Sequence, residues 1–63
     1  MLFTSVLTAE KAAAFKRYLK AKGIYFEASE CFDHVMLVIP MTGKALEQYN
    51  DIALAEDNLL KNN

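Results

Sequence analysis

Residues 24 to 40, IYFEASECFDHVMLVIP, decide the fold, because apolar side chains recur there at every second place. Ile24, Phe26 and Ala28 alternate with Tyr25, Glu27 and Ser29, and Val35, Leu37 and Ile39 alternate with His34, Met36 and Val38. A period of two is that of a pleated strand, whose successive side chains leave opposite faces. Two such runs separated by the polar-containing stretch Glu30 to Asp33 predict a hairpin. Pro40 ends the second strand, since it has no N–H to give to a ladder.

Upstream, Leu2 to Leu7 (LFTSVL) reads as a further short strand. Thr8 suits a helix N-cap and Glu10 the positive end of the helix dipole, so a helix is expected over Ala9 to Lys22. At about 100° per residue, Ala12, Phe15 and Leu19 form its buried stripe with Tyr18 on the shoulder. Gly23 closes it by taking the left-handed conformation. Downstream, Thr42 is again a plausible N-cap, and one helix is expected from Gly43 to about Lys61. Its apolar arc holds Ala45, Leu46, Tyr49, Ile52, Ala53, Leu59 and Leu60, with Glu56 in the middle. At ~1.5 Å per residue this helix outruns the strands, so Leu59 and Leu60 are expected either to fold back over the sheet or to pack on a neighbour.

The order is therefore β-α-β-β-α, an α+β protein forming a single domain over residues 1–63. The expected sheet is three-stranded and antiparallel-type in the order 1-3-2, and a right-handed first crossover puts the two helices on one face. This is a ferredoxin-like arrangement lacking its last strand. Only Asn62 and Asn63 follow the last helix, too few to supply that strand. Two consequences are expected: the first strand has an open edge, and the sheet face away from the helices is apolar. If Val35, Leu37 and Ile39 face the helices, then Tyr25, Met36 and Val38 face outward, joined by Leu2 and Val6 or by Phe3 and Leu7. Tyr25, Met36, Val38, Leu2 and Val6, with Leu54 and Leu59 from the last helix, are the candidate partner or dimer interface.

Composition narrows the class. With 54% hydrophobic and 24% charged residues the chain is globular rather than disordered. The longest apolar run, Val35 to Met41, is far short of a membrane span, and the first seven residues lack the basic start of a secretory signal, so a cytoplasmic location is expected. One cysteine excludes a disulfide within the chain. A chain of 63 residues rarely gains more than about 3–5 kcal/mol from its own core, which favours a homo-oligomer or a complex with a larger protein. The net charge of −1 argues against nucleic acid and anionic lipid as partners.

The segments LKAKGI (residues 19 to 24), VMLVIP (35 to 40) and GKALEQYNDI (43 to 52) together resemble the small PII-like or ACT-like domains of signal-transducing proteins. Leu19, Gly23 and Ile24 match the first part of that pattern, and Ile39, Pro40 and Ala45 the second. The resemblance implies a half ferredoxin-like dimer that senses or transmits and carries no catalytic residues.

No catalytic constellation, metal site or cofactor site is read from the residues. Cys31 and His34 have C-x-x-H spacing, but two ligands do not make a zinc site and ordinary loop residues are commoner. Phe32, in the same polar loop, is expected folded back over the end of the core, or else exposed as a partner anchor. Lys16, Arg17 and Lys20, and on the last helix Glu47 and Asp51, are candidate charged docking faces, although solvated helix faces are the commoner explanation. Thr42, Gly43 and Lys44 at a helix start form a candidate anion site, for which helix capping is a sufficient account. These readings lead to a non-enzymatic regulatory or inhibitory protein acting by protein–protein contact. Its size is compatible with a phage- or mobile-element-encoded protein that blocks a host factor. The alternative is a metabolite or nucleotide sensor or sequestering protein with a pocket between protomers.

Overall fold

In a computed structural model that describes residues 1–61, strands β1 (Leu2–Thr8), β2 (Glu27–Cys31) and β3 (His34–Pro40) form one antiparallel sheet in the order β1-β3-β2. Helix α1 (Ala9–Ala21) joins β1 to β2, and α2 (Gly43–Glu47) and α3 (Tyr49–Lys61) follow β3. The expected α+β class and strand order are those observed. Asn62 and Asn63 lie outside the described residues.

Register fixes the faces. Val6 is opposite Met36, Thr4 opposite Val38 and Leu2 opposite Pro40, while Ser5 and Leu7 oppose Leu37 and Val35. The choice left open by alternation is thereby made: Leu2 and Val6 share the outer face with Met36 and Val38, and Phe3 and Leu7 join the core. That core is Leu7, Ala12, Phe15, Leu19, Ile24, Val35, Leu37, Ile39, Met41, Ala45 and Ile52, with Phe3, Tyr18, Phe26, Ala55 and Leu59 packed against it.

Local chemistry explains the ends of α1. The Thr8 hydroxyl accepts from the Lys11 N–H at 3.4 Å, capping the first turn. At the other end Gly23 takes φ +71°, its N–H bonds the Lys20 carbonyl, and the Ile24 N–H reaches back to the Leu19 carbonyl at 2.9 Å. This pair of bonds is the Schellman closure, and its accompanying apolar contact is supplied by Ile24 and Leu19, both buried.

Three expectations are corrected. The strand expected from Ile24 begins in the ladder only at Glu27. The Met41 N–H bonds the Met1 carbonyl, so odd-numbered β3 residues direct their backbone groups to β1 and even-numbered ones to β2. Pro40 would be the partner of Tyr25, and with no N–H to donate, the β2–β3 pairing stops at Glu27 and Val38. Pro40 itself stays in β3, where its missing N–H interrupts nothing on the β1 side.

The helix expected over Gly43 to Lys61 is divided at Gln48, whose N–H is shared between the Lys44 and Ala45 carbonyls; the ladder resumes with the Ile52 N–H on the Gln48 carbonyl. Sharing of one N–H between two carbonyls is a tightened helix terminus, so α2 ends there and α3 starts afresh. Leu46, Tyr49 and Leu60 consequently stay largely exposed, while Ala45 and Ile52 are buried.

For Phe32 the place over the core is corrected and the exposed alternative stands, at 103% exposure. The hairpin turn is only Phe32 and Asp33, too short to bring the ring back onto the sheet.

Candidate interaction surface

The outer sheet face has an apolar side and a polar side, set by which strands contribute. On the β1 side of β3, Val6 faces Met36 and Leu2 faces Pro40; on the β2 side, the same Met36 faces Ser29, and Val38 faces Glu27. Leu2 (63% exposed), Val6 (57%) and Met36 (39%) form the uncovered apolar part, with half-buried Val38 between them. Tyr25 lies just before β2 and its hydroxyl donates to Glu27 Oε2 at 2.9 Å. That bond, and the negative charge beside it, push the Tyr25 phenol above its usual 10.0.

At the hairpin end the same face opens into a hollow of about 580 Å³, lined by Val6 and Met36 and by the hairpin residues 29 to 34. Phe32 has φ +56°. Of the two turn residues only this first one is left-handed, a place that ordinarily takes glycine in a two-residue hairpin. A bulky side chain there is backbone strain carried by a fully exposed ring.

Cys31 and His34 are brought opposite one another across the turn, and both are exposed. The His34 ring is engaged by its neighbour, Nδ1 lying 2.8 Å from Asp33 Oδ1. Among the described residues no group of three or more His, Cys, Asp or Glu side chains converges as metal ligands.

Leu54 and Leu59 do not join the outer sheet face. Leu59 lies seven residues after Ile52, on the same helix stripe, and packs against the core; Leu54 is exposed on the helical layer. On α1, Arg17 and Lys20 are exposed and Lys16 is half-buried, while the Lys22 ammonium sits over the Tyr18 ring, 5.8 Å from its centre. Glu47 and Asp51 are both exposed. Asp51 is close enough to Tyr18 to add to the burial that raises its phenol above 10.0.

Thr42 and Lys44 line a hollow of about 220 Å³ together with Gly23, Tyr25 and Pro40, and Gly43 lies between them in the chain. Thr42 makes no side-chain cap bond, Gly43 is left-handed at φ +53°, and the Lys44 ammonium is turned toward Gly23 at the carbonyl end of α1.

The left-handed Phe32 has no mark in the sequence, because no glycine or asparagine stands in the turn to signal a positive φ. The exposed α2–α3 stripe was hidden by the break at Gln48, which has neither proline nor glycine beside it.

Fold and surface together define a three-stranded α+β protein with an uncovered apolar sheet face. No family model, curated protein or solved structure matches the chain. Among the described residues no helix is long and apolar enough to cross a membrane.

Proposed function

We propose that this protein is a non-enzymatic regulator or inhibitor that acts by protein–protein contact in the cytoplasm, and that two copies associate through the outer sheet face. The observation that carries the reading is the Val6–Met36 pair, flanked by Leu2 and Val38, left in water on one side of the sheet. A chain of this size gains from covering it, because association stabilises whatever state alone can associate. The resemblance of residues 19 to 24 and 35 to 52 to dimeric PII-like or ACT-like sensors agrees with it.

Sedimentation equilibrium tests the reading. The expected result is a dimer that Val6→Lys and Met36→Glu convert to monomers, since each places a charge in the contact without touching the buried core. A protein that stays monomeric at every attainable concentration overturns it.

The second reading, a small-ligand sensor, is favoured by one observation: the hollow of about 580 Å³ beside Phe32 lies within the size range of ligand pockets. A rise in melting temperature with one class of metabolite or nucleotide, lost in Met36→Glu, would select it.

A further inference from the structure

The two edges of the sheet differ in a way that matters for binding. The β2 edge, EASEC, carries Glu27 and Glu30, the charged decoration by which exposed edges resist pairing. The β1 edge, LFTSVLT, carries no charge and no proline over seven residues. Because the Met1 carbonyl accepts from the Met41 N–H, odd-numbered β1 residues bond to β3. Those of Leu2, Thr4 and Val6 therefore leave their N–H and C=O groups along the free edge.

Above this edge the helical layer overhangs. Helix α1 packs on β1 and β3, and α3 packs beside α1. The Phe3 ring meets the Tyr49 ring edge-on at 6.0 Å, while every residue of β2 is exposed, so α3 lies on the β1 side of α1. Asp51 faces Tyr18 of α1. The opposite flank of α2 and α3, Leu46, Tyr49, Ala53, Glu56 and Leu60 at alternating spacings of three and four, therefore faces away from α1 and over the open edge. Glu56 is half-buried in that stripe and makes no ion pair among the described residues.

A strand-shaped slot with a row of free backbone groups as its wall and an apolar roof holding one unpaired carboxylate fits one kind of occupant. We infer that the β1 edge binds an extended segment of another protein, which adds to the sheet as a fourth strand and turns toward the helical layer a row of alternate residues that are apolar except for one basic residue. The apolar side chains meet Tyr49, Ala53 and Leu60, and a basic one pairs with Glu56. A second copy fits less well. The β2 strand of a second copy would turn Glu30, on the helix-facing side of the sheet with Val35, toward Glu56. The inference rests on the proposed action through protein contacts but uses a different surface from the dimer face.

Amide hydrogen exchange, read by NMR on the intact protein, tests it with a capped peptide as long as the seven-residue β1, with valines and a single lysine sharing the alternate positions of one face and threonines between them. At about 1 mM peptide the Leu2, Thr4 and Val6 amides are expected to slow about tenfold or more, with Phe3, Ser5 and Leu7 unchanged because they are already bonded to β3. Thr4→Pro removes one outward N–H without breaking the β3 ladder and is expected to abolish the slowing. Glu56→Lys is expected to weaken binding and leave the fold intact, and the same peptide with glutamate in place of its lysine is expected not to bind. No slowing at the three amides, slowing at Ala28 and Glu30 instead, or unchanged binding in Thr4→Pro overturns the inference. A monomeric protein in sedimentation would refute the dimer and leave this result standing, so the two failures are distinguishable.

Discussion

The Lys44 ammonium lies over Gly23, 3.2 Å from the point a β-carbon on that glycine would occupy. The contact joins the start of α2 to the carbonyl end of α1, where a cation is favoured by the helix dipole. It depends on two properties of Gly23: its left-handed φ of +71° and its lack of a side chain.

Gly23→Ala is accordingly expected to cost about 1–2 kcal/mol, mostly from forcing an alanine into the left-handed region, since the tip of Lys44 moves aside readily. Thermal unfolding should show this as a drop of about 4–8 °C per kcal/mol, with Gly23→Asn milder because asparagine tolerates that conformation. Equal melting temperatures for alanine and wild type would contradict the strain argument.

Phe32 offers the reverse case, because its ring buries nothing and its φ of +56° is unfavourable. Phe32→Gly is expected to raise stability by up to about 1 kcal/mol. If the melting temperature falls instead, the ring contributes to the fold in a way its exposure denies.

Ser5 is 2% exposed on the helix-facing side of β1, and its Oγ has no hydrogen-bond partner. Burying an unpaired hydroxyl costs about 1–3 kcal/mol, so Ser5→Ala is expected to stabilise the protein by about 1 kcal/mol in urea unfolding.

Tyr25 and Tyr18 supply a pH test with a definite sign. Both phenols titrate above 10.0 in the folded protein, Tyr25 through its bond to Glu27 and Tyr18 through burial and Asp51. A raised folded-state value means that the neutral phenol favours folding: the contribution is complete below about pH 10 and is lost as pH rises through the folded-state value. Absorbance titration near 295 nm should show late ionisation of both, assigned by Tyr18→Phe and Tyr25→Phe. Glu27→Gln should return Tyr25 toward 10.0; no movement in that variant would remove Glu27 as the cause.

How much could be read in advance differs from element to element. The alternation in Val35 to Ile39 and the stripe Ala12, Phe15, Leu19 settle their buried faces without reference to anything else, because period and amphipathicity are properties of neighbours in the chain. The Thr8 cap and the Gly23 closure are equally local. The strand order 1-3-2 is that of a split βαβ unit, which the succession of elements suggests. The interface candidates fared unevenly: Leu2, Val6, Met36 and Val38 share a face, while Leu54 and Leu59 lie in the helical layer, one in water and the other against the core.

The sequence by itself therefore determined the class, the order of elements and most of the core. Tertiary structure alone decided that Leu2 and Val6 rather than Phe3 and Leu7 face outward, since an edge strand's faces are chosen by its register with β3. It also decided that the last helix divides at Gln48 and that Phe32 stands clear of the core. Each of these depends on groups distant in the chain or on a turn two residues long, and hydrophobic periodicity carries no information about either.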